Sequence, residues 1–267
     1  MSTQLERILA HTRTEVAERR ATADASLLER QAAAHHPRGF EAGLRKVAAS
    51  GSAVIAELKK ASPSRGLIRP DFEPVTLARS LEVAGAAALS VLTDKEFFQG
   101  SLENLTRASA AVRIPCLRKD FIVDPFQILE ARAAGGDAIL LIVAALSDAD
   151  LKSLYAEAQR IGLDVLCEIH DGEELDRAVA LGFTVIGVNS RNLHTMQVDP
   201  QTQIDLAQSL PKTAVRVAES GIRTAADIAQ MVDAGFDAFL IGESLMRQPD
   251  PGAALAALLA REVSPER

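Results

Sequence analysis

The sequence predicts an α/β fold in which strands and helices alternate and the strands close into a barrel, with a helical extension at the N-terminus. After Gly51, short apolar runs alternate with longer segments of helical periodicity. The apolar runs recur at intervals of roughly 20 to 35 residues, as repeated strand–helix units require. Eight such repeats favour the closed (β/α)8 TIM barrel, and an open doubly wound sheet is the alternative.

The predicted elements follow from the apolar runs and from the glycines and capping residues between them. The eight strands are predicted at 53–56, 88–92, 115–119, 138–143, 164–169, 185–189, 214–218 and 238–241. The helices are predicted at 75–84, 102–111, 125–134, 148–161, 173–181, 201–210, 225–234 and 252–259. Glycines that end helices through left-handed backbone are Gly85, Gly135, Gly162, Gly182 and Gly235. The hydroxyls of Ser147 and Thr224 can cap the helices that follow them.

The first fifty residues follow a different pattern. Their apolar residues are spaced as on one face of a helix, with charges between them: Leu5, Ile8, Leu9 and Val16. Residues 35–39 interrupt this pattern with a proline and a glycine. We therefore expect residues 1–50 to form a helical extension packed on a barrel of residues 51–267, the two making one structural domain.

The composition limits the class of function. Hydrophobic residues make up 48% of the 267 residues and charged residues 24%, which is typical of a globular protein and excludes a disordered chain. The net charge of −7 leaves no broad positive field, so neither nucleic acid nor membrane is expected as a partner. Cys116 and Cys167 are too few for a disulfide framework and indicate a reducing compartment. Without a signal-peptide core or an apolar run of about 20 residues, the chain is expected to be cytoplasmic.

Charged and polar residues concentrate where the predicted strands end. These positions are Glu57 and Lys59, Lys119 and Asp120, Glu168, Asn189 to Arg191, Glu219 to Gly221, and Gly242 to Ser244. In a barrel they meet at the C-terminal mouth, where active sites of this fold are built. One charge at a strand end is most simply a solvated residue, but charges at the same end of five or six strands favour a site.

Lys119 and Glu168 form the best predicted acid–base pair, because each ends a run too apolar to be exposed. Period-two alternation places Glu57 and Lys59 on one face of their strand, and Leu117 and Lys119 on one face of theirs. If these faces point into the barrel, two lysines and two glutamates converge. We expect the opposite charges to keep the pair ionised, while burial moves the pKa values of Lys119 and Glu168 toward neutrality.

An anion site is predicted at the ends of the last two strands. The small residues in Ser220-Gly221 and Gly242-Glu243 let backbone N–H groups approach an anion, and barrels of this kind frequently bind phosphate there. Any anionic substrate must be held by such local donors, because the chain as a whole is acidic.

Two loops at the mouth each allow two interpretations. Residues 60–66 form either an ordinary surface loop or a flap that closes on a carboxylate. Phe97 and Phe98 either stack on an aromatic substrate or cap the barrel.

No metal, cofactor or nucleotide site is predicted. The five histidines lack the spacing of zinc ligands, no acidic cluster matches a calcium or magnesium loop, and nucleotide-binding glycine motifs are absent. His170 lies within reach of the mouth, because it closely follows Glu168, but a structural role is the simpler interpretation. The two cysteines lie in apolar runs and are expected to pack there.

Six segments resemble the indole-3-glycerol phosphate synthase family. They are VIAELKKASPSRG (54–66), LSVLTDKEFFQGS (89–101), PCLRKDFIVDPFQI (115–128), IGVNSRNL (186–193), VAESGI (217–222) and FLIGESLMR (239–247). The resemblance runs in order from about Leu5 to Leu259. The helical extension is also similar to that of this family and distinguishes it from the sister barrel, phosphoribosylanthranilate isomerase.

The resemblance implies closure of the indole ring of 1-(2-carboxyphenylamino)-1-deoxyribulose 5-phosphate, with release of CO₂ and water, in tryptophan biosynthesis. It implies that Lys119 is the general acid that protonates the ribulose carbonyl, and that Glu168 is the base of the later dehydration. Lys59 would bind substrate charge and share the proton transfer. Glu57 would orient these groups or stabilise the developing iminium charge.

The resemblance also assigns binding residues. Substrate contacts are implied for Ser62, Phe98, Phe121, Asn189 and Arg191, and phosphate contacts for Ser220, Gly221, Gly242 and Glu243. A serine is often found where this chain has Glu243. Because a carboxylate repels phosphate, only the backbone N–H of Glu243 is expected to face the ligand.

Two other functions stay open from the residues alone. One is a Schiff-base sugar-phosphate lyase, since a lysine at a barrel strand end can condense with a carbonyl. The other is a non-catalytic barrel that binds a sugar phosphate, which four converging charges argue against. The expected partner is a phosphorylated small molecule, and the expected state is a monomer, with weak association with other tryptophan-pathway enzymes left open.

Overall fold

Eight parallel strands close a barrel in the computed structural model, which describes residues 3–191 and 197–260. Within these ranges the strands are β1 Ala53–Leu58, β2 Ala61–Ser62, β3 Gly66–Leu67, β4 Ala88–Leu92, β5 Cys116–Lys119, β6 Ala138–Ile142, β7 Asp164–Ile169, β8 Val185–Asn189, β9 Val215–Glu219 and β10 Ala238–Ile241. The helices are α1 Gln4–Thr22, α2 Ala25–Ala34, α3 Phe40–Ala48, α4 Pro74–Val83, α5 Leu102–Ala111, α6 Pro125–Ala133, α7 Asp148–Arg160, α8 Gly172–Ala180, α9 Gln201–Ala207, α10 Ala225–Ala234, α11 Glu243–Met246 and α12 Pro251–Leu259.

The closure of the sheet decides between the two predicted topologies. β1 pairs in parallel with both β4 and β10, and the strands between them pair in chain order. This confirms the (β/α)8 barrel and excludes the open sheet. Each predicted strand is observed with its ends within two residues. The helix predicted at 201–210 ends instead at Ala207, because Pro211 disfavours helical backbone in the residues just before it.

The predicted N-caps and helix-ending glycines are also observed. The side chains of Ser147 and Thr224 accept hydrogen bonds from backbone N–H groups in the first turns of α7 and α10. All five predicted glycines have positive φ, between 75° and 109°: Gly85, Gly135, Gly162, Gly182 and Gly235. Left-handed backbone therefore ends these helices and turns the chain toward the next strand.

Alternation along the strands separates two buried apolar clusters. The barrel interior is filled by residues of one parity, including Ala53, Ile55, Leu117, Leu140, Leu166, Val217 and Leu240. Residues of the other parity pack against the surrounding helices. Phe40 and Leu44 of α3 are fully buried in the interior cluster, beside residues that begin the strands. The helix α3 therefore closes the N-terminal end of the barrel.

Two buried ionic clusters attach the N-terminal helices to the barrel. Arg19 of α1 donates to Glu130 of α6 at 2.9 Å, and Glu130 in turn pairs with Arg118 of β5 at 3.2 Å. At the other end of the barrel, Arg38 donates to Asp137 at 2.9 and 2.5 Å. The division into 1–50 and 51–267 stays a prediction, and its ends at residues 1–2 and 261–267 lie outside the described residues.

No helix in the described ranges combines the length and the apolar character needed to cross a bilayer.

Asp137 gives a test of what holds the extension in place. Its fully buried carboxylate accepts hydrogen bonds from Arg38 and from the backbone N–H of Cys116 at 2.6 Å. Asp137→Ala leaves the Arg38 guanidinium without this partner, so we expect a loss of about 3 kcal/mol in the free energy of unfolding. Urea unfolding measures it, with Asp233→Ala on the exposed face of α10 as the control, expected within about 0.5 kcal/mol of wild type. Equal stability of the two variants would contradict this role.

Candidate active site

A cavity of about 1160 Å³ opens at the C-terminal ends of the barrel strands. Its lining includes all thirteen residues that the sequence predicts for the site: Glu57, Lys59, Ser62, Phe98, Lys119, Phe121, Glu168, Asn189, Arg191, Ser220, Gly221, Gly242 and Glu243. The volume is slightly above the range of small-molecule sites, about 300–1,000 Å³. The predicted residues therefore meet in one cavity.

Lys119 lies at the centre of the charged residues on the cavity floor. Its Nζ donates to Oε2 of Glu168 at 2.6 Å and to Oε2 of Glu219 at 3.2 Å. Leu117 and Lys119 share the inward face of β5, as the alternation predicted, and Glu168 and Glu219 have the same parity on β7 and β9. Both carboxylates are at most 2% exposed, so the three charges interact in a medium of low polarity.

Ion pairing outweighs burial at Lys119 and Glu168. Burial alone lowers the pKa of Lys119, but the carboxylates of Glu168, Glu219 and Glu57 raise it above its ordinary value. Burial alone raises the pKa of Glu168, but Lys119 and His170 bring it below its ordinary value. The expectation that both pKa values move toward neutrality is therefore wrong in direction, because each charge is buried beside its counter-charge.

Glu219 behaves differently from Glu168, although both contact Lys119. Burial and the nearby Glu168 raise the pKa of Glu219 above its ordinary value, despite the favourable field of Lys119. Two buried carboxylates and one ammonium group carry an excess negative charge, and a proton held by the carboxylate pair removes it. The cluster therefore contains an ionised carboxylate, a protonated lysine and a carboxyl group that can hold a proton at neutral pH.

Glu57 and Lys59 form a second ion pair at the end of β1. Glu57 is 2% exposed, and a Cβ atom at Gly242 would overlap its carboxylate. A Cβ atom at Gly187 of β8 would likewise overlap the carboxylate of Glu219. Gly187 and Gly242 therefore each leave room for a buried carboxylate. Gly242 is also predicted to contact phosphate, and the space it leaves for Glu57 is a second reason for a glycine at that position.

The predicted phosphate residues lie on two backbone turns at one side of the cavity. Ser220 and Gly221 both have positive φ, 69° and 83°, and directly follow β9. Gly242 and Glu243 begin α11, where the first N–H groups of a helix have no partner within it. The carboxylate of Glu243 pairs at 3.1 Å with Arg65. It pairs at the same distance with Arg247, so its charge is compensated by two guanidinium groups.

Two aromatic rings form another wall. Phe98 and Phe121 lie 6.3 Å apart between ring centroids and both line the cavity. Asp94 fixes the loop of Phe98 by accepting the N–H groups of Phe97 and Phe98 at 2.7 and 3.1 Å. Phe97 instead contacts His11 of α1 edge-on. The two neighbouring phenylalanines therefore serve different purposes, one at the cavity and one at the extension.

Ser62 follows β1 and Asn189 ends β8, and both line the cavity. The short hairpin of β2 and β3 spans residues 61–67, which the sequence analysis did not predict. Ser62 within it has a buried hydroxyl that makes no hydrogen bond to the described residues. Asn189 at the end of β8 accepts the backbone N–H of Arg191 at 3.0 Å. These polar groups face the cavity together with Lys59.

Two parts of the site were not predicted from the sequence. The sequence places Glu219 only at a strand end, although Val215, Val217 and Glu219 alternate as clearly as the residues of β5 do. Leu5 and Ile8 of α1 line the cavity, so the extension forms a wall of the site. The apolar stripe predicted this helix, but no local signal indicates what the stripe packs against.

Fold and site together define a class: a (β/α)8-barrel enzyme with acid–base residues at its C-terminal mouth. A family model for indole-3-glycerol phosphate synthase matches residues 5–258. The chain is 60% identical over 259 residues to the indole-3-glycerol phosphate synthase of Koribacter versatilis, covering 97% of this chain and 100% of that protein. It is 51% identical over 261 residues to that of Rhizorhabdus wittichii, covering 97% and 99%. The chain belongs to the indole-3-glycerol phosphate synthase family, which confirms the lyase class and the tryptophan pathway expected from the sequence.

Solved structures of low sequence identity show the fold alone. Thiamine phosphate pyrophosphorylase from Pyrococcus furiosus is 16% identical with a TM-score of 0.59, covering 78% of this chain and 93% of that chain. N-acetylmannosamine-6-phosphate 2-epimerase from Clostridium perfringens is 15% identical with a TM-score of 0.59, covering 75% and 89%.

Gly221→Val tests the turn after β9. Valine at φ 83° is strained, and its side chain would crowd Val198 and Pro200, whose atoms lie 3.3 and 3.4 Å from a Cβ at this position. We expect KM for a phosphorylated substrate to rise at least ~10-fold with a smaller change in kcat. Gly162→Val is the matched control, because Gly162 also has positive φ, at 75°, but lies where a Cβ meets nothing within 4 Å. A similar KM in both variants would contradict a binding role for the Gly221 turn.

Proposed function

We propose that this chain converts 1-(2-carboxyphenylamino)-1-deoxyribulose 5-phosphate into indole-3-glycerol phosphate, CO₂ and water, with the cluster around Lys119 as its acid–base machinery. One observation carries the proposal: a buried ammonium group lies between two buried carboxylates on the floor of a cavity large enough for this substrate. Ring closure needs a proton donor first and a proton acceptor later, and the cluster holds both.

Lys119 acts first, as the general acid. The ring carbon that bears the carboxylate attacks the ribulose carbonyl carbon, and negative charge develops on the carbonyl oxygen. A cationic lysine hydrogen-bonds that oxygen and transfers a proton as the charge appears. Nζ of Lys119 lies 2.6 Å from Oε2 of Glu168, and in this step the carbonyl oxygen takes the place of Glu168 as the partner of Lys119.

Glu168 acts in the dehydration. After CO₂ leaves, the new hydroxyl departs as water and Glu168 accepts the proton from the carbon beside the ring nitrogen. We assign delivery of the proton to the departing hydroxyl to Lys59, which lies beside Glu57 at the same mouth. Two protons are delivered and one is accepted, and this net uptake of one proton is what loss of a carboxylate as neutral CO₂ requires.

The other lining residues bind the ends of the substrate. Lys59 and the Ser62 loop face the carboxylate, and Glu57 orients Lys59 and stabilises the iminium charge that forms on the ring nitrogen. Phe98 and Phe121 contact the anthranilate ring. Asn189 and Arg191 contact the sugar chain.

The phosphate is assigned to the backbone N–H groups at Ser220-Gly221 and Gly242-Glu243. Because Arg65 and Arg247 hold the carboxylate of Glu243, that carboxylate need not point at the phosphate.

The two alternative functions differ from this proposal in what they require of Lys119. A Schiff-base lyase needs a neutral amine that attacks a carbonyl, whereas the surrounding carboxylates raise the pKa of Lys119 and keep it charged. A non-catalytic barrel has no need for a lysine buried between two glutamates, because burying such groups costs desolvation energy and adds little stability.

We also propose that the enzyme is a cytoplasmic monomer. Cys116 and Cys167 are free and buried, as is usual in a reducing compartment. The exposed large hydrophobic residues of the described chain lie singly on different elements: Leu27, Leu67, Val83, Val179 and Val232. Single exposed residues of this kind are ordinary on monomers, and light scattering in solution tests the proposal.

Glu168→Gln tests the base. The amide is nearly isosteric but cannot accept the proton, so we expect indole fluorescence from the carboxyphenylamino substrate to form at least ~100-fold more slowly, with little change in KM. Glu173→Gln, on the exposed side of α8, is the matched control and should keep full activity. A Glu168→Gln enzyme with wild-type turnover would contradict this role, and an inactive wild-type chain would contradict the proposed reaction.

Lys119 is expected to donate a proton and never to form a covalent bond. Borohydride added during turnover reduces an imine and leaves the mass of the substrate on the lysine, whereas a proton donor leaves the chain unmodified. We expect an unmodified chain by mass spectrometry, together with a loss of roughly 1,000-fold in kcat for Lys119→Met. A stable adduct on Lys119 would support the lyase instead.

A further inference from the structure

His170 is a buried titratable residue beside the site that the proposed mechanism does not use. It follows β7, its side chain is 12% exposed, and it lies behind Glu168 rather than on the cavity wall formed by the described residues. Any effect of His170 on the reaction must therefore pass through Glu168.

The imidazole ring lies between two carboxylates. Its Nε2 is 3.4 Å from Oε1 of Glu168, and its Nδ1 is 3.1 Å from Oε2 of Glu174. The backbone N–H of His170 donates to the same oxygen of Glu174 at 2.8 Å. Glu174 lies in the first turn of α8, where a carboxylate is favoured, and Asp171 caps its N–H. The outer carboxylate thus fixes the ring, and the ring faces the inner carboxylate.

The charge of the ring follows from these neighbours. Burial lowers the pKa of His170, but Glu168 and Glu174 outweigh burial and raise it to about 10. At neutral pH the ring is an imidazolium.

The imidazolium has its largest effect on Glu168 in the proposed complex with substrate. Glu168 faces Lys119 from β5, Glu219 from β9 and His170, with Glu57 beyond Lys119. In the proposed first step Lys119 leaves Glu168 for the carbonyl oxygen. Glu168 then faces Glu219 with His170 as its cationic neighbour.

We propose that His170 is a positioning residue, held by Glu174. Its imidazolium keeps Glu168 ionised and oriented as a base while Lys119 donates its proton to the substrate carbonyl oxygen. The inference rests on the proposed function, because it concerns the proton acceptor of that reaction. It assigns a purpose to a residue that the sequence alone favoured as structural.

His170→Gln gives the direct test, because glutamine retains an N–H donor at the place of Nε2 but carries no charge. Glu168 must be ionised to accept a proton, so activity falls as the pH drops through its pKa. Loss of the imidazolium raises that pKa, and the acid limb of the kcat profile should move to higher pH by about one unit. We expect kcat at pH values on the acid limb to fall about tenfold, with kcat on the plateau changing much less and KM changing less than twofold.

Glu174→Gln is the control variant. It removes one of the two carboxylates that raise the pKa of His170 but leaves the ring beside Glu168, so its acid limb should move less than that of His170→Gln. A purely structural role predicts instead that both variants lose stability and leave the pH profile of kcat unchanged. An unshifted acid limb in His170→Gln would overturn the proposal.

The wild-type enzyme provides a measurement that does not depend on the variants folding. Ring NMR signals of His170 should show a protonated imidazole throughout the neutral range, and a ring that titrates near its ordinary pKa of about 6.5 would overturn the proposal. Wild-type turnover distinguishes a failure of the proposed function from a failure of the role proposed for His170. An inactive wild-type chain refutes the proposed function. An active wild-type chain with an unshifted His170→Gln profile refutes only the role of His170.

Discussion

The contact of the Lys119 ammonium group with Glu168 and Glu219 is the interaction on which the rest of the site depends. Any one of these charges, buried without the others, would be costly enough to neutralise or to destabilise the barrel mouth. Together they hold a lysine in its cationic form and one carboxylate in its ionised form, where burial alone would do the opposite. The same contact balances the lysine charge on the cavity floor, and in the proposed first step the substrate carbonyl takes the place of Glu168 at Lys119.

The barrel geometry explains why these groups meet. Glu57, Lys119, Glu168 and Glu219 come from β1, β5, β7 and β9, which are alternate strands of the closed sheet. In barrels of this kind alternate strands contribute the side chains of one interior layer. The layer beneath them contains apolar residues from the same four strands, Ile55, Leu117, Leu166 and Val217. The acid–base cluster is thus the uppermost layer of the barrel core, with polar residues in place of aliphatic ones. Gly187 on β8 and Gly242 directly after β10 leave the space that the carboxylates of Glu219 and Glu57 occupy.

Much of this arrangement could be predicted from the sequence because it depends on local rules. Strand parity predicted that Leu117 and Lys119 share a face, and the glycines before strands marked the ends of helices. The direction of the pKa shifts of Lys119 and Glu168 could not be predicted, because it depends on distances between strands far apart in the chain. The position of α1 is a similar case: Leu5 and Ile8 indicate an apolar stripe, but only tertiary packing places that stripe against the cavity. The partners of Glu243 are also non-local, since Arg65 belongs to the loop after β1 and Glu243 follows β10.

Two buried carboxylates hold one proton beside the charged Lys119. Carbon-13 NMR of δ-labelled glutamate tests this protonation most directly, because protonated and ionised carboxyl carbons have distinct chemical shifts. We expect one glutamate signal to keep the shift of a protonated carboxyl at pH 7 and to disappear in Glu219→Gln, because burial and Glu168 raise the pKa of Glu219. A spectrum in which every glutamate is fully ionised well below pH 7 would contradict it.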